Sequence, residues 1–217
     1  MIQNDMFTRL LQLSLVAVTL LAIAFRLFWP VEFTTVFARE DGVVEYGTAI
    51  LLFLTAIVAV LLGRRAGGYR LGLLWFYGFA LFLAAGEEIS WGQRIFGIAS
   101  PEFFLENNYQ QETNLHNLVV GEEQLVKFWF GTLLTLFALL YLVFLPWLYP
   151  VAGWVRKLMD LLAVPVPARY ASVVALGWSL LVLWIDLPRN WEAYEYVFAA
   201  LLCLAFSRPV NRETFQV

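Results

Sequence analysis

Two adjacent carboxylates, Glu87 and Glu88, close an apolar run that begins at Leu71, and a tryptophan, a glutamine and an arginine follow them in the stretch GEEISWGQR, 86–94. Carboxylates act as general acids and bases and ligate hard cations, and a guanidinium grips phosphate or carboxylate. If the helix continues through the motif, Glu87, Trp91 and Arg94 share one face at i, i+4 and i+7, while Glu88 points about 100° away. Two neighbouring acids in different surroundings can have their pKa values pushed apart, so that one serves as acid and the other as base. Further along, Glu112 and His116 stand at i, i+4, flanked by Gln110, Gln111, Asn114 and Asn117. His116 is the only histidine, which excludes a bis-histidine haem or a three-histidine zinc centre. The set Glu45, Glu88, Glu112 and His116 suits a divalent cation such as Mg²⁺, Mn²⁺, Ca²⁺ or iron better than a structural zinc.

The elements that must position these groups are membrane helices. Of the 217 residues, 61% are hydrophobic and only 14% charged, and the mean hydropathy is +0.73. A soluble domain carries about 25% charged and 45–50% apolar residues, so the excess is too large for a single buried core. The net charge of −3 suggests no nucleic-acid partner. The lone cysteine, Cys203, lies in an apolar stretch and reads as a small core residue. Six apolar segments, approximately 8–29, 43–63, 71–89, 127–148, 170–187 and 191–207, are candidates to cross a bilayer about 30 Å thick. The expected architecture is all-α, a single transmembrane helical domain over 1–217.

Lysine and arginine set the orientation. Arg9, Arg64, Arg65, Arg70, Arg156, Lys157, Arg169, Arg208 and Arg212 fall on one side, against Arg39, Arg94, Lys127 and Arg189 on the other with Arg26 close by. Both termini are therefore expected in the cytoplasm, and the membrane is expected to be a bacterial inner membrane. Between spans four and five, a stretch over 151–164 places Arg156, Lys157 and Asp160 on one helical face and Trp154, Val155, Leu158, Leu161 and Leu162 around the rest. This predicts an interfacial helix on the inner leaflet.

The acids distribute unevenly over this topology. Asp5, Asp160 and Glu213 are expected inside, and the other fourteen of the seventeen outside or at the outer helix ends. Glu45, Glu87, Glu88, Asp186, Glu192 and Glu195 lie within a turn or two of the membrane, where ionisable groups are costly and turn toward the bundle interior to pair. Arg26 and Arg94 are the expected partners in spans one to three, and Arg189 in spans five and six, giving a polar cup in the outer third of the bundle. The longest connection, 92–126, is expected to fold as a cap over it. Ser100-Pro101-Glu102 reads there as a helix start, with a capping residue and proline at the first position.

The combination GEEISWGQRIFGI followed by QETNLHN resembles a family of multi-pass bacterial membrane proteins without an assigned reaction. The resemblance rests on Glu87, Glu88, Trp91, Gln93, Arg94 and the run 114–117, covers roughly half the chain, and implies a membrane location but no activity. There is a looser likeness to membrane hydrolases of the alkaline ceramidase type, which keep acidic and histidine residues at helix ends. Their metal centre needs several histidines, and this chain departs from that pattern with one.

The chemistry to which the pattern points is an enzyme open to the outer leaflet, acting on a lipid or polyprenyl head group by hydrolysis or group transfer. Glu87 or Glu88 would be base or acid and His116 the complementary group. Trp91, Gln93, Arg94, Asn114, Asn117 and Arg189 would hold the substrate. The competing expectation is a non-catalytic binding or assembly subunit that presents the cap to a protein partner. A coupled transporter is disfavoured, because the central portions of all six segments hold no Asp, Glu, Lys, Arg or His.

Overall fold

Long runs of leucine, alanine, phenylalanine and valine broken by few charges leave helix as the form that pairs every backbone group within the segment. The computed structural model describes residues 5–115, 117–119 and 133–215. Eight helices are named here: α1 (Asp5–Phe28), α2 (Val43–Ala66), α3 (Gly68–Glu88), α4 (Glu102–Asn107), α5 (Leu134–Val151), α6 (Gly153–Leu161), α7 (Arg169–Ile185) and α8 (Asn190–Ser207). No β-strand occurs among the described residues. Four helices, α1, α2, α3 and α5, are long and apolar enough to cross a membrane. The apolar α7 is shorter at 17 residues, and α8 carries Glu192 and Glu195 in its first turns. They occupy the places expected for the fifth and sixth spans. The start of the expected fourth span, 127–132, lies outside the described residues.

The helices alternate in direction. Arg208, just beyond α8, pairs with Asp5 at the start of α1, which puts the beginning of α1 and the end of α8 at one end of the bundle. Arg64 and Arg65 close α2 at this basic end. Gly67 and Gly68, at φ +63° and +54°, make the corner into α3 in a left-handed conformation that side chains resist. The opposite, acidic end gathers the start of α2, the end of α3, the end of α7 and the start of α8. The main core joins Leu11, Leu15 and Val18 of α1, Ala171, Ala175 and Trp178 of α7, and Val197, Ala200 and Leu201 of α8. α2 lies between α3 and α8, and Gly47 of α2 leaves the room that the Tyr196 ring of α8 fills.

Proline shapes two elements. Trp29-Pro30 ends the regular turn of α1, and the chain continues through a short helix and a widened turn, Phe33–Phe37, whose two phenylalanines are buried. Within α5, Pro146 has no N–H to offer the Leu142 carbonyl four residues back. The helix widens at Leu140–Phe144, and Ser172 of α7 donates its hydroxyl to the carbonyls of Leu142 and Val143, each at 3.0 Å. A side chain from a neighbouring helix thus replaces the lost backbone donor.

The short helix expected over 151–164 forms as α6, with Trp154, Leu158 and Leu161 exposed. Asp160, one turn beyond Arg156 on α6, accepts hydrogen bonds from Tyr149 (3.0 Å), Asn211 (3.1 Å) and Thr214 (2.9 Å). Asn211 also accepts from the Val166 N–H at 2.9 Å, and Phe215 is fully buried, so the segment after α8 straps α6 to the bundle.

Candidate functional site

The helical continuation expected through GEEISWGQR does not occur. α3 stops at Glu88, and Ser90, Trp91 and Gly92 all adopt positive φ (47°, 56° and 73°), turning the chain back. Left-handed backbone at two non-glycine residues costs on the order of 1 kcal/mol or more each and persists where the surroundings over-determine it. Here the Trp91 ring folds onto the bare face of Gly86, where a Cβ would stand 2.7–2.9 Å from three ring carbons. Its Nε1–H donates to Glu87 at 2.9 Å, and Phe82 meets the ring edge-on at 6.1 Å. The Glu87–Trp91 pairing thus arises through a turn instead of a helix.

Arg94 instead donates to Glu40 (2.7 Å) and Asp41 (2.5 Å), in the connection before α2, and pairs with Glu112 of the cap. Its partial burial opposes the charge, but the hydrogen bond to Asp41 and the nearby charges of Glu40 and Asp41 outweigh that and push its pKa above the ordinary arginine value. Glu112 is buried and also accepts from the Ser90 hydroxyl and from Asn114 at 3.2 Å. Residues 111–113 and 115 are bends, so Glu112 stands outside any helix. His116 itself lies outside the described residues.

The polar groups of the cap satisfy one another. Asn114, 1% exposed, donates to Ser90 at 2.8 Å and accepts from the Asn108 side chain at 2.9 Å and the Asn117 N–H at 3.2 Å. Gln93 accepts from the Thr113 N–H at 2.7 Å and donates to Ser100 at 3.0 Å. Asn117 donates to Gln110 at 2.6 Å, and Glu87 accepts the Leu115 N–H at 2.5 Å. Ser100 does not cap α4. Pro101 occupies the capping position, and the Ser100 hydroxyl donates to the Gln111 carbonyl at 2.7 Å. The residues Glu87, Trp91, Gln93, Arg94, Glu112, Asn114 and Asn117, which the sequence marks for chemistry, are brought together as a lock holding the cap to the end of α3.

A second group converges a short way off. One carboxylate oxygen from each of Glu88, Glu192 and Glu195 lies within 4.8 Å of the others. Glu88, turned about 100° from Glu87 around α3, reaches the first two turns of α8, where Glu192 and Glu195 share a face at i, i+3. The positive end of the α8 dipole favours acids in the first turn. Arg189, at φ +63°, donates to Glu192 (2.9 Å), to Glu40 (3.0 Å) and to the Ala38 carbonyl (2.9 Å), and lies 3.8 Å from Glu45. The expected pairing of Arg189 with the sixth segment therefore forms, and Glu40 links Arg189 to Arg94. Glu45 accepts the Asp41 N–H at 2.9 Å and stands beside the three-carboxylate cluster, not in it. Asp186 is exposed at the left-handed end of α7. Among the described residues, neither Glu88 nor Glu195 takes part in a hydrogen bond or ion pair.

Glu192, Glu195 and Glu40 are absent from the set of ligands and anchors drawn from sequence. The signal available for the first two was a pair of acids three apart in the opening turns of an apolar helix. Comparison of the chain with family models, with curated proteins and with solved structures finds no match.

Proposed function

We propose that this protein is a membrane-embedded enzyme with a carboxylate pocket at the acidic end of the bundle, acting on a lipid or polyprenyl head group by hydrolysis or group transfer. The bundle would have six spans, both termini in the cytoplasm and the pocket facing out, in a bacterial inner membrane. The observation that carries the reading is the approach of Glu88, Glu192 and Glu195 to within 4.8 Å, with Arg189 paired to Glu192. Three carboxylates so close repel unless a cation or proton lies among them. Their all-oxygen character fits Mg²⁺, Mn²⁺ or Ca²⁺. Glu112, held by Arg94, Ser90 and Asn114, is already occupied in the lock, which leaves Glu88, Glu192 and Glu195 as the ligands. A divalent cation there would supply Lewis-acid polarisation of a head-group oxygen.

A carboxylate oxygen of Glu88 or Glu195 left free of the cation would take the proton from an attacking hydroxyl, and the cap, anchored by Arg94, would exclude water from the reacting group. The test is head-group release from labelled lipids in nanodiscs with Mn²⁺ added. Glu88→Gln and Glu195→Gln should each lower turnover by at least about 100-fold, the low end of what acid–base catalysis supplies, with thermal unfolding unchanged. Unchanged turnover in both variants would sink the assignment.

The exposed apolar side chains of the cap, Phe96, Ile98, Phe103 and Tyr109, favour a second reading, an assembly subunit that presents this surface to a protein partner. Cross-linking from Tyr109 in intact membranes to one defined neighbour, together with no turnover on any head group, would select it.

A further inference from the structure

We propose that Arg26 and Trp184, where α1 and α7 reach the acidic end of the bundle, seat the phosphate of an anionic phospholipid. This site stands apart from the carboxylate cluster and does not rest on the enzymatic reading.

At an end of the molecule crowded with carboxylates, Arg94 pairs with three acids and Arg189 with Glu40, Glu45 and Glu192. Arg26, whose position in the first segment suits it to pair with the acids of segments one to three, forms no ion pair among the described residues. Its Nε is buried without a hydrogen-bond partner. A guanidinium nitrogen left dry and unpaired is costly, because a donor taken out of water needs an acceptor.

What Arg26 does have is an aromatic wall. Its guanidinium carbon lies 5.6 Å from the centre of the Trp184 ring, within cation–π range, and the residue is half-buried, so the terminal nitrogens remain at the surface of the bundle. α1 and α7 are tied together below this point by the Trp178 indole, which donates to the Thr19 hydroxyl at 2.9 Å. Leu27 of α1 and Leu180 and Leu183 of α7 are exposed within about a turn of Arg26 and Trp184 along their helices, apolar surface of the kind acyl chains cover. Exposed Trp29 follows Arg26 by three residues, at the level where an aromatic belt meets head groups.

The guanidinium matches a phosphodiester in charge and in its planar fork of donors. A lipid phosphate accepts from the terminal nitrogens, which stay at the surface while Nε lies buried beneath them, and the acyl chains lie against the leucines. Arg94 and Arg189 at this end already carry acids, whereas Arg26, backed by Trp184, keeps its charge for an anionic lipid.

The experiment is native mass spectrometry of the delipidated full-length protein in detergent, titrated with dioleoyl phosphatidylglycerol and, separately, with dioleoyl phosphatidylcholine. Wild type should hold one phosphatidylglycerol more tightly than the rest. Arg26→Gln should weaken that site about tenfold, the scale of one charge-assisted contact, and leave phosphatidylcholine binding unchanged. Trp184→Leu, which keeps the arginine, should weaken it about threefold, as loss of a cation–π wall predicts, and carries the test should Arg26→Gln not fold. Equal phosphatidylglycerol affinity in wild type and the folded variants would overturn the proposal. Displacement of the tight lipid by millimolar inorganic phosphate would overturn the lipid assignment in favour of a free anion.

Discussion

Replacing Arg94 by glutamine removes the cation that ties the connection before α2 to the cap. Glu112 has a side chain only 8% exposed and would be left with Ser90 and Asn114 as its remaining partners. Breaking a buried ion pair from one side costs about 3–5 kcal/mol. The Arg94 side chain is 34% exposed, so water can enter in its place, and the two remaining hydrogen bonds still stabilise the carboxylate, which brings the expected loss to about 2 kcal/mol. At about 1.4 kcal/mol per factor of ten, that is roughly a 30-fold rise in the opening of the cap. Amide hydrogen exchange in detergent reads it directly. Amides at 108–115 should exchange about 30-fold faster, while those in the middle of α2 serve as the internal reference. Glu112→Gln alone should cost less, about 1 kcal/mol, because an amide can still accept from Ser90 and Asn114. The double variant should lose less than the sum of the two, with a coupling of about 1 kcal/mol or more. An unchanged exchange rate in the cap of Arg94→Gln, or strict additivity, would refute the lock.

Two further substitutions probe other joints. Gly86→Val places carbon where the Trp91 ring lies, at 2.7–2.9 Å for the first atom alone; it should displace the indole, break its bond to Glu87 and destabilise the bundle by about 1–3 kcal/mol, visible as a lower thermal midpoint and an altered tryptophan emission. Asn211→Ala removes the acceptor of the Val166 N–H and the donor to Asp160 and the Val164 carbonyl from a site 4% exposed; about 2 kcal/mol should be lost, and proteolysis should release the segment after α8 before the helices are cut.

Composition by itself decided that this is a helical protein with several segments able to cross a membrane, because apolar runs of that length can satisfy their backbone only as helices. Helix placement was also legible: the expected segments at 43–63, 170–187 and 191–207 lie within a few residues of α2, α7 and α8. So was the gathering of acids at one level and the pairing of Arg189 with the last helix, since both follow from the period of a helix and the cost of charge in lipid.

The division of those acids into two groups was decided by tertiary structure alone. Spacing placed Glu87, Trp91 and Arg94 on one face only if α3 continued, and Ser90, Trp91 and Gly92 in the left-handed region end it. That turn depends on a tryptophan finding the bare surface of Gly86 and on Asn114 and Glu112 reaching Ser90 from more than twenty residues away, contacts that no local pattern encodes. The same holds for Glu88. One residue beyond Glu87, it shares a helix end with it, yet lies with Glu192 and Glu195 more than a hundred residues later. Helical period can say that two neighbours point apart, and only the packing of α8 beside α2 says what each of them meets.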